Sequence, residues 1–518
     1  MEIGDSSMLA NAREEPLMWE NDPYSVDPEV TLHLLDLYFT HINNTTYCMF
    51  PRRHFLSWLK TYSTKCQNEK MLLYSMLAAA SIYADESLTG FGKQCAQIAG
   101  DAISSEVGRF NISSAQSKML LALYHFAKGS DGLAWDHVGS AIRTINWMEL
   151  NTEQGCKDDE VSRSQPRFEF AFSPEQLAEC KRRTFWACFL QDRYCGPTTC
   201  LIKPQDVFVR LPCTDTMFEC STPSDAPYFT NDIIDAKTTS ITSTSRLAPV
   251  AWLVLAAAIW GDVTDYTFRA SNRPNTTYRE CYEAFYAQTH SRAQEWLSRL
   301  PAHLQYNETN LDRSIQQGSV GTFVSMHVLY HLSLIKLNRY MRHAVIPESV
   351  TRNIRTANYH GHQILQIMTA LHVARREIAT PDQGQPAVCT FTTPFPGYGI
   401  LAAIDVVSAG GLDSNLKTTL DEIDGALGCL LELAQYWNSA MDQLRSCQKR
   451  YLQLKNITTN PIKSASGCWI GRKWGVKTPL EREYGPDNDC IYGHGSGRDQ
   501  EADEDGIVDK YFDAFKEG

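Results

Sequence analysis

Residues 173–195 combine charged residues and large aromatic rings on one predicted helix, and this combination limits the folds open to the chain. Ser173 and Gln176 have the spacing of a capping box, which satisfies free amides at a helix start, and Pro174 suits the first helical position. Apolar residues then recur at helical spacing, which predicts a helix buried over a wide face. Because an unpaired buried charge is costly, the fold must supply partners for the charged residues of this helix.

The charged residues stand at intervals that favour pairing with one another. Glu179 precedes Arg182 by three residues and Arg183 by four, and Asp192 lies beside Arg193. Residues three or four apart share one face of a helix, so we expect ion pairs within it. We interpret these residues and two neighbouring rings as a structural group and call them the signature set: Glu179, Arg182, Arg183, Phe185, Trp186, Asp192 and Arg193.

Length and periodicity indicate an all-α, multi-helix protein. The 518 residues exceed one typical core and 43% of them are hydrophobic, so we expect two packed helical lobes with disordered termini. Strand-like alternation is almost absent. Polar stretches set the expected boundaries: a disordered tail at 1–26, a core domain at 27–220, a polar connection with one buried helix at 221–280, a C-terminal helical lobe at 281–456 and a loop-rich acidic tail at 457–518.

The sequence also predicts individual helices and loops. Asp27 and Pro28 begin the first helix, and residues 71–84, apolar nearly all round, predict a helix buried on every side. Ser114 is the expected cap of one helix of a hairpin, and Gly129 its end. Polar loops are expected at 151–172 and 261–280, and C-terminal helices at 281–300, 319–343, 348–376 and 413–455.

Charge and apolar runs exclude several classes of protein. A net charge of −12 does not suit a nucleic-acid binder, which normally has a basic face. The longest apolar run, 247–260, is too short to cross a bilayer, so no membrane partner is expected. The N-terminus lacks the basic and apolar regions of a secretory signal. The 16 scattered cysteines are therefore interpreted as reduced, buried thiols.

The order of motifs along the chain resembles the fungal-specific transcription factor domain. This is the regulatory or middle homology region, including the xylanolytic-activator type, of fungal zinc-cluster regulators. The pattern E-x-x-R-R-x-F-W-x-x-x-x-x-D-R of the signature set is similar to the signature helix of that domain, and the likeness covers residues 27–456. Other segments that agree in order are 51–55, 71–80, 116–123, 134–135, 150–151, 211–213, 296–297, 337–339 and 436–440.

The resemblance implies a regulator of RNA polymerase II transcription in a fungal nucleus, and not an enzyme. Its implied partners are the transcription machinery or coregulators, and a second copy or a DNA-binding regulator with which it would form a homodimer or heterodimer. Contact with DNA would be indirect or through a missing module. Two other classes stay open: an all-helical metal-dependent enzyme of terpene-synthase type, and a helical scaffold outside the nucleus.

The zinc cluster that such relatives carry is not found in this sequence. A six-cysteine, two-zinc cluster needs C-x2-C pairs that pre-position the thiolates, and no two cysteines here have that spacing. We therefore expect no cofactor on this chain, whereas zinc is expected in relatives that keep the cluster. The nearest local alternative has a first gap that fits a zinc finger and a last gap that is too wide: Cys195, Cys200, Cys213 and Cys220.

Two further motifs suggest metal sites. Asp232 and Asp235 lie in N-D-I-I-D, which is similar to the metal-binding acids of terpene synthases, although no second acid cluster is evident. His327 and His331 are four apart on a predicted helix, as in a zinc-binding pair. Val328 stands where a metalloprotease would have its glutamate, so we expect core or surface histidines instead.

The last twenty residues mix acids with apolar and aromatic residues. Eight acids and two lysines give residues 499–518 a net charge of −6. This composition resembles an amphipathic activation segment, whose acids keep the rings solvated until a coactivator groove accepts them. The alternative is a solvated tail with no partner. The residues that would enter such a groove are Ile507, Val508, Tyr511, Phe512 and Phe515.

Overall fold

Helices make up nearly all of the regular structure in the part of the chain that the computed structural model describes. The all-α prediction is confirmed. The described residues are 21–106, 108–157, 169–195, 199–230, 247–271, 277–339, 345–378, 391, 393–408 and 416–459. Their α-helices are α1 (Pro23–Val26), α2 (Pro28–Leu37), α3 (Arg52–Thr61), α4 (Gln67–Ala80), α5 (Thr89–Ser105), α6 (Ile112–Ala127), α7 (Asp131–Trp147), α8 (Glu153–Lys157), α9 (Pro174–Cys195), α10 (Asp215–Glu219), α11 (Pro249–Ser271), α12 (Tyr278–Arg299), α13 (Glu308–Gln316), α14 (Val320–Arg339), α15 (Val350–Ile378), α16 (Phe395–Ser408), α17 (Leu416–Tyr436) and α18 (Asn438–Thr459). Shorter helical turns include a π-helix at Tyr38–Ile42 and 3-10 helices at Ser81–Tyr83, Glu86–Leu88, Pro204–Asp206, Ala302–Leu304 and Pro347–Ser349.

Order begins before the predicted end of the N-terminal tail. Asp22 pairs with Lys65 at 2.7 Å, and both side chains are nearly buried. The prediction of disorder is therefore wrong for residues 21–26, because this ion pair ties them to the segment before α4; residues 1–20 lie outside the described part. The predicted helix start is confirmed, since the side chain of Asp27 caps α2.

The predicted hairpin of α6 and α7 forms, with one change at its start. Asn111 caps α6 in place of Ser114, because the Asn111 side chain accepts the Ser114 amide at 2.7 Å. Gly129 follows α6 with a φ of +72°, a conformation that glycine adopts without strain, and ends the helix as predicted. α4 is buried on nearly every side, also as predicted, and packs against α5 and α6.

The C-terminal half begins with a helix that is longer than predicted. α11 continues through residues 261–271, which the sequence assigns to a polar loop. Asp265 is buried there and paired, since it binds Lys203 at 3.0 Å and Arg269 at 2.9 Å, and Val263 is also buried. α11 packs against α12 and α14, and α15 packs against both α14 and α17.

Two other features of this half differ from the sequence predictions. The sequence predicts no helix at α16, whose residues are buried almost throughout, because its first five residues include Pro396, Gly397 and Gly399, which are poor helix formers. The single helix predicted at 413–455 is two helices, α17 and α18, which are separated at the buried residue Trp437. The helices predicted at 281–300, 319–343 and 348–376 are confirmed as α12, α14 and α15.

One cluster of buried apolar side chains runs through the described residues from Leu34 to Leu454. It crosses the predicted connection at 221–280. α18 packs back on α6, and the ring of Tyr194 in α9 stacks on Phe395 in α16 with centroids 5.5 Å apart. The two predicted lobes thus share one core, and the domain boundaries themselves stay a prediction.

Among the described helices, α14 is the one long and apolar enough to cross a membrane by length and composition. However, 94% of its apolar window is buried inside the protein. Because its apolar surface is already covered by other helices, α14 is accounted for as a core helix.

The crossing of α15 and α17 requires a small residue. A Cβ on Gly425 would lie 2.5 Å from Thr369 Oγ1, closer than real atoms approach. Thr369 is itself fixed, since its Oγ1 donates to the Glu422 carbonyl at 2.9 Å. We therefore expect Gly425→Ala to lower the free energy of unfolding by about 1–3 kcal/mol, as over-packing typically does. Denaturant unfolding followed by circular dichroism measures this loss.

Gly100→Ala is the matched control, because a Cβ at Gly100 in α5 meets nothing within 4 Å. This substitution should raise the free energy of unfolding by up to about 1 kcal/mol, since alanine favours a helix over glycine. Equal losses for the two variants would contradict a steric requirement at the crossing.

Candidate functional site

α9 carries the signature set and is buried along its length. The predicted capping box forms: the Ser173 amide donates to Gln176 Oε1, and the Gln176 amide to Ser173 Oγ, both at 3.2 Å. α6, α7, α8, α10 and α11 all contact the helix, and residues 176–195 are buried without exception. Each charge on α9 must therefore be neutralised inside the protein.

Two guanidinium groups share one carboxylate in the first half of α9. Arg182 Nη1 donates to Glu179 Oε2 at 2.9 Å, and Arg183 Nε donates to Glu179 Oε1 at 3.0 Å. The amide of Cys213 donates to the same Oε1 at 3.0 Å. The predicted pairs at spacings of three and four residues are confirmed.

A second carboxylate, Glu153 in α8, completes this group. It accepts from Arg182 Nη2 at 2.6 Å and from Arg182 Nε at 3.1 Å, a two-pronged geometry that makes strong pairs. Burial raises the pKa of Glu153, but hydrogen bonds and charge from Arg182 outweigh burial and hold that pKa below its ordinary value. The prediction of a loop at 151–172 is therefore wrong for the residues of α8, which forms where Glu153 pairs with the buried Arg182.

Arg183 fastens distant segments of the chain to α9. Its Nη1 donates to Asp215 Oδ1 at 2.8 Å and to the carbonyl of Cys48 at 3.2 Å, and its Nη2 donates to the carbonyl of Cys213 at 2.7 Å. Cys48 and Arg183 are 135 positions apart in sequence. Burial opposes the charge on Arg183, yet the surrounding acids, Asp215 first, raise its pKa well above the ordinary value.

The rings of the signature set hold the irregular segment between α9 and α11. Trp186 Nε1 donates to the carbonyl of Arg210 at 2.8 Å. The Trp186 ring contacts Phe185 and Phe189 with centroids 5.1 Å away, and Phe229 at 5.3 Å. Outside the helices, β-type backbone pairing among the described residues is limited to isolated bridges. These bridges join Thr152 to Phe208, Arg210 to Tyr228 and Cys213 to Leu247.

The last turn of α9 holds the segment that follows it. Asp192 pairs with Arg193 at 3.1 Å, as predicted, and accepts the amides of Leu201 at 2.9 Å and Ile202 at 3.0 Å. Arg193 Nη2 donates back to the Ile202 carbonyl at 2.9 Å and its guanidinium lies over the Phe189 ring. Burial raises the pKa of Asp192 and outweighs the charge of Arg193.

The signature set is thus a closed network. Each of its charged residues is less than one-tenth exposed, so these groups are shielded from the solvent. Sequence reasoning missed Glu153 and Asp215, because these partners lie 29 and 32 positions from their arginines. Their sole sequence signal is their place beside two resemblance segments, 150–151 and 211–213.

The alternative zinc set finds no support in the described residues. Cys195, Cys200 and Cys213 are buried and Cys220 is exposed. No group of three or more potential metal ligands occurs in the part of the chain that the structure describes. Burial raises the pKa of Cys200 and of Cys213 to about 12, so both are protonated thiols in the metal-free protein at neutral pH.

His327 lies in the core and His331 is partly buried, whereas the sequence interpretation left core and surface positions open. His327 Nε2 lies 2.9 Å from the Leu304 carbonyl, and His331 Nδ1 lies 2.8 Å from His360 Nδ1. Burial lowers the pKa of His327 and of His360 to about 4. His327 and His360 are thus neutral imidazoles buried in the core at neutral pH.

Two candidate motifs lie outside the described residues. The first is the terpene-synthase-like acid pair, Asp232 and Asp235. The second is the predicted activation segment, with Ile507, Val508, Tyr511, Phe512 and Phe515.

Comparison with protein families identifies the class of protein. The family model described as the fungal specific transcription factor domain matches residues 35–305, more than half of the chain. This chain belongs to that family. The matched range includes all of α9 and the partners of its charged residues, so the network described above lies within the family's domain.

Particular relatives agree with this assignment. An uncharacterized transcriptional regulatory protein of Schizosaccharomyces pombe is 24% identical over 79% of this chain and 46% of its own length. Two Zn(2)-C6 fungal-type transcription factors of Fusarium oxysporum, FTF1c and FTF2, are 20% identical over 90% and 83% of this chain, and over 52% and 40% of their own lengths. The chain thus spans about half the length of the curated relatives it matches. No solved structure matches it.

Glu153→Gln should cost about 3 kcal/mol of unfolding free energy, because it removes a charge that a buried arginine needs. The matched control is Asp442→Asn, in an exposed pair with Arg445 at 2.9 Å, which should cost under about 1 kcal/mol. Urea unfolding at neutral pH measures both. Similar losses for the two variants would contradict a special role for the buried pair.

Low pH should reduce the difference in unfolding free energy between wild type and Glu153→Gln. A carboxyl whose folded pKa is lowered contributes stability above its unfolded pKa, near 4.3, and this contribution is lost as the pH falls through the folded pKa. The gap between wild type and Glu153→Gln should therefore narrow below about pH 4. A gap that is constant with pH would show that the charge of Glu153 is not involved.

His327→Gln should flatten the pH dependence of stability. Because burial lowers the folded pKa of His327 to about 4, the unfolded state binds more protons between about pH 6.5 and 4, so stability falls as the pH falls through that window. In the variant, the slope of unfolding free energy against pH should be smaller by up to about 1.4 kcal/mol per pH unit. The exposed His303→Gln is the control, and its urea-unfolding profile should parallel wild type.

Proposed function

We propose that this chain is the regulatory body of a fungal transcription regulator, which acts in the nucleus on RNA polymerase II transcription. The observation that carries the proposal is the family match over residues 35–305, with the signature set inside it as a closed, buried network. A network without an exposed reactive group suits a scaffold that presents surfaces to other proteins. This supports a regulatory role and not an enzymatic one.

In this proposal the helical body contacts DNA indirectly. The net charge of −12 opposes direct binding to phosphates. The names of the Fusarium relatives assign them a Zn(2)-C6 type, and no cysteine pair of this sequence has the C-x2-C spacing of such a cluster. DNA contact would therefore come through a homodimer or heterodimer with a DNA-binding regulator, or through a further module.

The transcription machinery or its coregulators are the proposed protein partners. The acidic segment with Tyr511, Phe512 and Phe515 has the composition of a sequence that enters an apolar coactivator groove. The helical part of the chain would carry this segment and control whether partners can bind it. Recruitment of coregulators, and not catalysis, would then be the activity to measure.

A tethering experiment tests the proposal. The chain, fused to a foreign DNA-binding domain in a fungal host, should change the expression of a reporter at least about threefold in either direction, since tethering supplies the missing DNA contact. Fluorescence imaging of the unfused chain should show it in the nucleus. No change in reporter expression at normal protein level would contradict the proposal, and exclusion from the nucleus would favour a scaffold elsewhere.

The double variant Phe512→Ala with Phe515→Ala tests the activation segment separately. It should remove most of the reporter response, because rings supply most of the buried area in helix-in-groove recognition. Lys516→Ala, in the same segment, is the matched control and should keep the response. An unchanged response in the double variant would assign the activity to another part of the chain.

A further inference from the structure

A cavity of about 310 Å³ opens between α11, α12 and the segment after α9. Its volume is at the lower end of the range for small-molecule sites, so a single-ring compound would fill it. The residues of its lining that matter for recognition are Lys203, Asp262, Asp265, Tyr266, Arg269, Phe285 and Arg292.

The charges around the cavity leave one cation in excess. Asp265 Oδ2 accepts from both Lys203 Nζ at 3.0 Å and Arg269 Nη2 at 2.9 Å. Arg292 pairs separately with Asp262 at 2.6 Å. Three cations thus face two carboxylates, and Asp265 cannot neutralise both of its partners. A ligand with one negative charge would balance the site.

Arg269 is the cation best placed to move toward such a ligand. Its side chain is 51% exposed, while that of Asp265 is 11% exposed. Asp265 has other partners that hold it, since its Oδ1 accepts the amide of Cys200 at 2.8 Å. Because Arg269 is half exposed to water and Lys203 still neutralises Asp265 when Arg269 leaves, Arg269 can turn to an anion at small cost.

An aromatic wall lies beside these charges. The rings of Tyr266 and Phe285 are parallel, with centroids 3.9 Å apart and an interplanar angle of 6°. Both residues line the cavity. A wall of rings next to an excess guanidinium favours a ligand with a flat apolar part and an anionic end, since stacking and ion pairing then act together.

We propose that this cavity binds a small single-ring aromatic carboxylate, with Arg269 as the partner of the carboxylate. As the effector of a regulator, this ligand rests on the proposed function. The site is also linked to the signature set, because Lys203 at its rim directly follows Ile202, which Asp192 and Arg193 hold. Occupancy would therefore act on the end of α9.

Titration calorimetry of the purified full chain with benzoate tests the site. We expect saturable binding with a dissociation constant on the order of 1 mM, as suits a ligand of this size. Benzamide, which lacks the charge, and acetate, which lacks the ring, should each bind at least about fivefold more weakly. Arg269→Ala should weaken benzoate binding about tenfold, because a charged hydrogen bond is lost.

Arg445→Ala is the matched control, since Arg445 also makes an exposed pair with an acid on its own helix. It should bind benzoate like wild type, and circular dichroism should show that both variants are folded. Absence of saturable binding up to about 20 mM, equal binding of benzamide, or full binding by Arg269→Ala would each overturn the proposal. Failure of the reporter experiment with intact benzoate binding would reject the transcriptional role and leave the site standing.

Discussion

The carboxylate of Glu179, shared by two buried guanidinium groups, is the interaction on which the rest of the structure depends. It fixes the positions of Arg182 and Arg183, and these two side chains reach in different directions to Glu153 and Asp215. Removing one charge from this group leaves its partner unpaired in the protein interior, which solvates charges poorly. The loss of any one member should therefore destabilise the whole group. α8, α10 and the irregular segment between α9 and α11 are all held through this one helix.

Local features of this fold could be predicted from sequence, whereas distant partners could not. The capping box at Ser173 and the pairs of Glu179 follow from spacings of three and four residues, which a helix turns into contacts whatever surrounds it. The sequence around Glu153 does not indicate its role, because its partner Arg182 is 29 positions away and meets it only in the folded protein. Pairing of distant charges is a property of tertiary packing, and one sequence does not encode it in any short pattern.

Errors in the predicted elements have the same origin. α11 continues into a polar stretch in which Val263 is buried and Asp265 is paired with Lys203, so a helix there has both apolar and ionic contacts to the rest of the protein. α16 is not predicted because Pro396, Gly397 and Gly399 near its start are poor helix formers, and its burial inside the protein compensates for them only in the folded state. The candidate cavity lies where such an underestimated element, α11, meets α12, and neither its shape nor its excess charge is visible in the sequence.

The core shared by the two halves has a consequence for how this protein can be divided. The family match ends at residue 305, yet α11 rests against α14, and α18 returns to α6. A fragment that ends at that boundary would lack α14, which covers α11. The apolar face of α11 would then be exposed to water, which favours aggregation over independent folding. We therefore expect the unit that folds by itself to extend to α18, well beyond the stretch by which the family is recognised.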